Sequence, residues 1–350
     1  MVSRVISASV ILVLAGAAFA PAVRAQPSAA RTDAPPTPAD VPPGSITYED
    51  VAYPQPVQYL RFTTYGQDVR MAYMDVPPSG TPNGRTVMLL HGMNFAGFYW
   101  GGPIDVLRKE GFRVVVLDQI GFGRSSKPII PYNFHDMALN SKRVLDHLKL
   151  DTVAVVGHSM GGMLAARFAT QYPSIAERVV IYNPIGITDP RFDRPSANID
   201  EAYKRTLESS TYQQYLASFK RYFAHDPSAW KPEYEPYARI RYARTLGGDW
   251  PRYAMVITLI QQITYLDPVV YDWAHIKSPT FVFGGREDGP NFAERMKHIA
   301  DTIPNGKGRL YLLPNVGHVP HFEAPDKFYP PLLAFLKEGL TTTRTSAAAR

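Results

Sequence analysis

Cysteine is absent from this 350-residue chain. Without a thiol there is no disulfide framework, and an export route that acylates a cysteine is closed. A zinc site needs at least three well-placed ligands, and the chain offers neither cysteine nor an H-E-x-x-H helix, so no metal and no cofactor is expected. Charge of one sign is also scarce: 37 Lys and Arg against 31 Asp and Glu give a formal +6. Losing Arg4 and Arg24 with an N-terminal leader brings this to about +4, too little and too dispersed for a nucleic-acid partner. Hydrophobic runs of membrane-spanning length are missing as well. The apolar stretch from Val5 to Ala20 falls short of the roughly twenty residues of a spanning helix and ends at Pro21.

What that stretch does have is Arg4 ahead of it and Val23-Arg24-Ala25 behind it. This layout predicts a secretory signal over 1–25 cleaved after Ala25, hence a periplasmic or secreted protein with no stable membrane insertion after cleavage. Residues 26–45 hold six prolines among Ala, Ser and Asp and read as an extended linker. Two β-prone runs follow, Val57 to Thr64 and Val69 to Val76, joined in a hairpin-like connection. The apolar runs Val87 to Leu90, Val114 to Leu117, Val153 to Val156 and Val179 to Tyr182 then alternate with helical stretches at 103–110, 134–149 and 160–172. Near-continuous apolar strands spaced by helices predict a mostly parallel sheet covered on both faces, an α/β architecture. From Asp189 to Trp273 the rhythm stops, leaving Pro-punctuated helical patterns with ten tyrosines, read mostly as helix-packing residues. Thr280 to Phe283 and Leu310 to Leu313 resume the sheet, so the core is expected over 46–188 and 273–340. A helical cap is inserted at 189–272, the last helix runs from Pro325 to Leu340, and 341–350 form a frayed tail.

The chemistry centres on Gly157-His158-Ser159-Met160-Gly161, which lies between an apolar strand and a helical pattern. A G-x-S-x-G in that context puts the serine on a sharp, exposed turn. Ser159 needs a base and an acid to orient that base. His318 leaves the last strand in Pro314-Asn315-Val316-Gly317-His318, at the same end of a parallel sheet. An acid follows the preceding strand in Gly284-Gly285-Arg286-Glu287-Asp288; Asp288 is the choice, with the adjacent Glu287 as the rival. Donors for an oxyanion are the backbone N–H groups of Met160, beside the serine, and of Met93, in the His91-Gly92-Met93-Asn94 loop. Asn94, Phe95, Phe98, Tyr99 and Trp100 follow that loop and are the pocket candidates. Asp118, Arg124, Ser125 and His91 read as structural or positioning residues, and His321 as the rival of His318.

Five segments in this order resemble an α/β-hydrolase with a helical cap over about residues 46 to 340. They are His91-Gly92, Asp118 to Ser126, Gly157 to Gly162, Gly285 to Asp288, and Gly317-His318 with Glu323-Ala324-Pro325. The resemblance implies a serine hydrolase, with Ser159 arguing against the branches that use an aspartate nucleophile. A small-molecule ester is the first expectation for the substrate, cleaved through an acyl-enzyme. A C–C bond hydrolase of ring-cleavage products, a cofactor-free perhydrolase and a non-catalytic ligand-binding protein on the same fold are the alternatives. Asn183-Pro184-Ile185-Gly186 departs from the pattern in offering no carboxylate after its strand, which favours Asp288.

Overall fold

The computed structural model describes residues 35–340 apart from 224, 225, 227 and 229. The leader expected over 1–25, the first part of the linker and the tail over 341–350 lie outside the described residues. Eight strands make one sheet: β1 Gln58–Thr64, β2 Gln67–Val76, β3 Thr86–Leu90, β4 Arg113–Leu117, β5 Val153–His158, β6 Ala176–Tyr182, β7 Thr280–Gly285 and β8 Gly308–Leu313. Their order is β1-β2-β4-β3-β5-β6-β7-β8. The first two strands run antiparallel and the remaining six are parallel. Tyr65 and Gly66, both at positive φ, turn β1 into β2; two residues suffice because mirror-image turns match the twist of a hairpin.

The parallel strands β3 to β7 are buried on both faces because alternate residues feed two separate cores, whereas the edge strand β8 exposes Leu310 and Tyr311. Met88 and Leu90 of β3, Val115 and Leu117 of β4, and Val179 and Ile181 of β6 enter one; Val87, Leu89, Val114, Val116, Val180 and Tyr182 enter the other. The first core is closed by α2 Phe134–His147, α3 Met160–Gln171 and α9 Phe292–Thr302, the second by α1 Gly101–Lys109 and α11 Pro325–Lys337. This two-sided burial explains why the strands read as continuous apolar runs rather than as an alternation.

Between β6 and β7 lie five helices: α4 Ile199–Glu208, α5 Tyr212–Phe223, α6 Glu235–Thr245, α7 Trp250–Gln261 and the single turn α8 Ile263–Leu266. Within this insertion α5 packs on α6 and α4 on α7. Tyr212, Tyr215, Tyr234 and Tyr253 are buried in its packing. A further short turn, α10 Pro320–Glu323, precedes α11.

The proline-rich stretch departs from the expected linker. The described residues from Thr37 onward belong to one compact unit, and 37–45 are docked on the insertion rather than extended in solvent. Asp40 pairs with Arg239 of α6, the Gly44 N–H donates to the Ala243 carbonyl at 2.8 Å, and Thr37 Oγ1 accepts from Gln213 Nε2 at 2.8 Å. Proline-rich chain loses little backbone freedom on docking, so a few polar bonds hold it.

Candidate active site

The loop ends at the carboxyl edge of the parallel strands gather the chemically competent residues. Ser159 joins β5 to α3 at φ 58° and ψ −119°, a backbone region that non-glycine residues rarely occupy. The flanking glycines permit this turn: a Cβ on Gly157 would sit 2.0 Å from the Gly161 carbonyl oxygen, and one on Gly161 would sit 2.1 Å from the Leu90 carbonyl oxygen. The Ser159 hydroxyl makes no hydrogen bond with another described residue. A side chain at Gly92 would press on Ser159 Cβ at 3.0 Å, so the loop after β3 runs directly over the serine. Neither the Met93 nor the Met160 N–H donates to another described residue, which leaves two amides beside Ser159 open to an anion.

His318 follows β8, and its Nδ1–H donates to Asp288 Oδ2 at 2.7 Å. That bond fixes the tautomer and leaves Nε2 as the basic nitrogen. Glu287, the rival acid, is exposed and its carboxylate makes no hydrogen bond with another described residue. No hydrogen bond joins Ser159 Oγ to His318 Nε2. Glu323 braces the histidine loop from below, its carboxylate accepting the N–H groups of Gly317 and Val319 on either side of His318.

Asn183, noted in the sequence only for lacking a carboxylate, holds the acid in place. It is fully buried at the end of β6 with φ 42°. Its Nδ2 donates to Asp288 Oδ2 at 2.8 Å and approaches the carbonyls of Gly285 at 3.2 Å and Gly317 at 3.3 Å. Its Oδ1 accepts the Gly285 N–H at 2.9 Å. One amide thus ties the acid loop to the histidine loop.

His158, just before Ser159, forms a second tie. Its Nε2 lies 2.8 Å from the His318 carbonyl oxygen, which can only accept, so Nε2 carries the proton. Burial, reinforced by the neighbouring histidines His318 and His321, holds its basicity well below the usual histidine range. Its unprotonated Nδ1 therefore accepts the Tyr99 hydroxyl at 3.0 Å, and that hydroxyl oxygen accepts the Gly92 N–H at 3.3 Å. The loop after β3, the turn from β5 to α3 and the loop after β8 are joined through this chain. His91 likewise bridges: its Nδ1–H donates to the Gly92 carbonyl at 2.9 Å and its Nε2 accepts the Gln119 N–H at 3.1 Å. Asp118 is structural, accepting from the Gly97 N–H, the Tyr53 hydroxyl and the Arg124 N–H. Ser125 and Arg124 brace the same loop against Ala72, Tyr48 and Val51. His321 is enclosed, with Nδ1 3.1 Å from the Tyr182 hydroxyl and its ring stacked on Trp100, which removes it as a rival base.

A cavity of about 510 Å³ opens onto His318, Asp288 and Met93. The pocket candidates divide: Asn94 and Phe95 line a small cleft beside Met93, and none of the five lines the cavity at His318. Phe95, Tyr99 and Trp100 are buried in the second core, Phe95 and Tyr99 stacked at 4.4 Å, and none of them lines this cavity. Phe98 packs among Tyr48, Tyr53 and Tyr237, beside a different surface cleft, and Asn94 donates to the Tyr222 hydroxyl at 3.2 Å. The chain turns down after the oxyanion loop, so these aromatics fill the seam between sheet and insertion. The cavity wall comes instead from Pro184, Ile185 and Ile187 after β6, from Tyr222 of α5, and from Pro290 and Phe292 after the acid. Tyr222 also lies against the His318 ring at 5.0 Å. Among the described residues, no cluster of His, Asp and Glu is arranged to hold a metal ion, and no helix is long and apolar enough to cross a membrane.

A family model described as "Alpha/beta hydrolase family" matches residues 87–330. The chain is 26% identical over 253 residues to "Putative carbamate hydrolase RutD" of Pseudomonas syringae pv. syringae (strain B728a), covering 72% of this chain and 93% of that one. A 2-hydroxy-6-oxononadienedioate/2-hydroxy-6-oxononatrienedioate hydrolase of Burkholderia vietnamiensis (strain G4 / LMG 22486) is 25% identical over 290 residues, 80% of this chain and 95% of its own length. Among solved structures, a probable hydrolytic enzyme from Pseudomonas aeruginosa PAO1 superposes with a TM-score of 0.79 at 34% identity, covering 85% of this chain and 99% of that one.

Proposed function

We propose, taking as premise that this chain belongs to the alpha/beta hydrolase family, that it is a serine hydrolase cleaving carboxylic esters through an acyl-enzyme on Ser159. The observation that carries this reading is the 2.7 Å bond from His318 Nδ1 to Asp288 Oδ2 at a cavity wall, together with a strained Ser159 whose hydroxyl has no hydrogen-bond partner among the described residues. His318 Nε2 takes the hydroxyl proton as Oγ attacks the ester carbonyl, and Asp288 stabilises the imidazolium that forms. The N–H groups of Met93 and Met160 receive the tetrahedral oxyanion. Collapse breaks the ester C–O bond, and His318 returns its proton to the departing alkoxide, releasing the alcohol. Water then attacks the acyl-Ser159 ester with His318 again as base, freeing the carboxylic acid and restoring the serine.

Turnover of short p-nitrophenyl esters by the wild type and by Ser159→Ala tests the proposal. The variant's kcat is expected to fall by about five to six orders of magnitude, because the attacking atom is gone. Full retention of turnover would end the mechanism. The Burkholderia relative supports a second reading, hydrolysis of a C–C bond beside a ketone with the same residues. Turnover of a 2-hydroxy-6-oxo-dienoate with no turnover of any ester would select it.

A further inference from the structure

The cavity that meets His318 has a mixed lining. Met93 and His318 line it together with the apolar Ile185, Ile187 and Phe292. Its rim carries two guanidinium groups, Arg194 from the loop after β6 and Arg295 from α9. Neither makes an ion pair or a side-chain hydrogen bond with any described residue. Several other surface arginines are matched, as in Arg70 with Glu49, Arg113 with Asp75, Arg191 with Asp189 and Arg309 with Glu338, whereas Arg61 and Arg286 also have no ionic partner among the described residues but line no cavity with His318. The one carboxylate on the cavity wall, Asp288, is already engaged by His318 and Asn183. A neighbouring cavity of about 200 Å³ shares Arg194, Gln261 and Thr264 with the first and adds Arg205, also without an ionic partner among the described residues. The cavity at His318 and its neighbour therefore carry exposed guanidinium groups that have no ionic partner among the described residues.

We infer that the substrate is an ester whose acyl chain ends in a carboxylate, with the apolar residues of the cavity holding the chain and Arg194 or Arg295 holding its far end. This rests on the ester-hydrolase reading above and names its substrate class. A guanidinium is a planar fork suited to a carboxylate, and it is spared any desolvated internal partner that the ligand would have to displace. At an exposed rim the attraction acts on capture of the substrate more than on the chemical step and weakens with salt.

The test compares kcat/KM for mono-p-nitrophenyl esters of adipic and suberic acid with the matched methyl p-nitrophenyl diesters, identical in length but uncharged at the far end. The wild type is expected to prefer the charged ester by about tenfold at low salt, in line with a charge-assisted hydrogen bond. Arg194→Gln or Arg295→Gln should cut that ratio several-fold through KM, whereas Arg61→Gln, on the outer strand β1, should leave it intact. Equal values for charged and neutral esters, or a ratio indifferent to both cavity variants, would overturn the inference while leaving the ester reading in place. Inhibition of neutral-ester turnover by inorganic phosphate as strong as that by adipate would assign the rim to anions in general and overturn the carboxylate assignment. If no ester turns over, the ester reading fails by itself. Calorimetry on Ser159→Ala with monoethyl adipate against diethyl adipate then decides, with no tighter binding of the monoester counting against the inference.

Discussion

Replacing Asn183 by Asp would put a carboxyl where an amide now donates to Asp288 Oδ2 at 2.8 Å. Two ionised carboxylates at that separation repel by about 3 to 6 kcal/mol at an effective dielectric of about 20 to 40. At about 1.4 kcal/mol per unit, this lifts the introduced carboxyl from about 3.9 to about 6 to 8. Below that range it stays protonated and can donate to Asp288 much as the amide does. Above it, the new charge crowds the acid and breaks the staple between the β7 and β8 loops. The kcat of Asn183→Asp should therefore approach the wild-type value near pH 6 and fall away towards pH 9, where the wild type holds its activity. Asn183→Leu, which leaves the buried Gly285 N–H without an acceptor, should lose activity at every pH, with an effect of about 1–3 kcal/mol or roughly ten- to hundredfold. A pH series of kcat on a p-nitrophenyl ester, corrected for the chemical hydrolysis of the ester, reads both. An Asn183→Asp profile parallel to that of the wild type would refute the claim that Asn183 orients the acid.

Other expectations are narrower. Asp288→Asn should reduce kcat by about four orders of magnitude, since the imidazole loses its partner and its tautomer, while Glu287→Gln stays within about twofold; the reverse ranking would move the acid to Glu287. Tyr99→Phe leaves the buried His158 Nδ1 and the Gly92 N–H unpaired, so its urea midpoint should drop by the equivalent of about 1–3 kcal/mol. An unchanged midpoint would dissolve that chain of bonds. Burial pushes His321 down to about 3, below the roughly 6.5 of the unfolded chain, so its contribution is present above about pH 6.5 and is lost as the pH falls towards 3. His321→Phe should accordingly unfold at a lower pH than the wild type in an acid titration followed by tryptophan fluorescence; coincident midpoints would mean that the ring takes up its proton without opening the core.

The sheet was legible because burial on both faces writes strands as unbroken apolar runs, and every such run named in the sequence is a strand. The residues flanking Ser159, Asp288 and His318 were legible because turns at strand ends impose glycine at fixed places. What could not be read was direction after a turn. Tyr99 and Trp100 follow the His91-Gly92 loop in sequence yet are buried in the core, whereas Ile185, on the loop after β6, and Phe292, at the start of α9, line the cavity at His318. Asn183 was hidden for a different reason: an amide after a strand carries no signature until its partners, Gly285, Asp288 and Gly317, arrive from more than a hundred residues downstream. Polar docking of residues 37–45 was hidden likewise, since proline-rich composition describes stiffness and not what the segment touches.

That docked segment makes the insertion an asymmetric door. Helix α6 is latched from outside by Asp40 and Gly44, and α5 packs against it, while α7 buries Tyr253, Val256, Ile257 and Ile260 in the main core. Helix α4 buries only Thr206 and leaves Ile199 and Leu207 exposed, and the loop leading into it carries Arg194. Opening on the α5 and α6 side has to unclasp the N-terminal strap, whereas α4 is held from within, by Thr206 bonded to Thr258 and Gln261 and by Tyr203 bonded to the Pro251 carbonyl of α7. The first residues of the folded chain thus fasten one half of the insertion from outside, while α4 in the other half is held through α7.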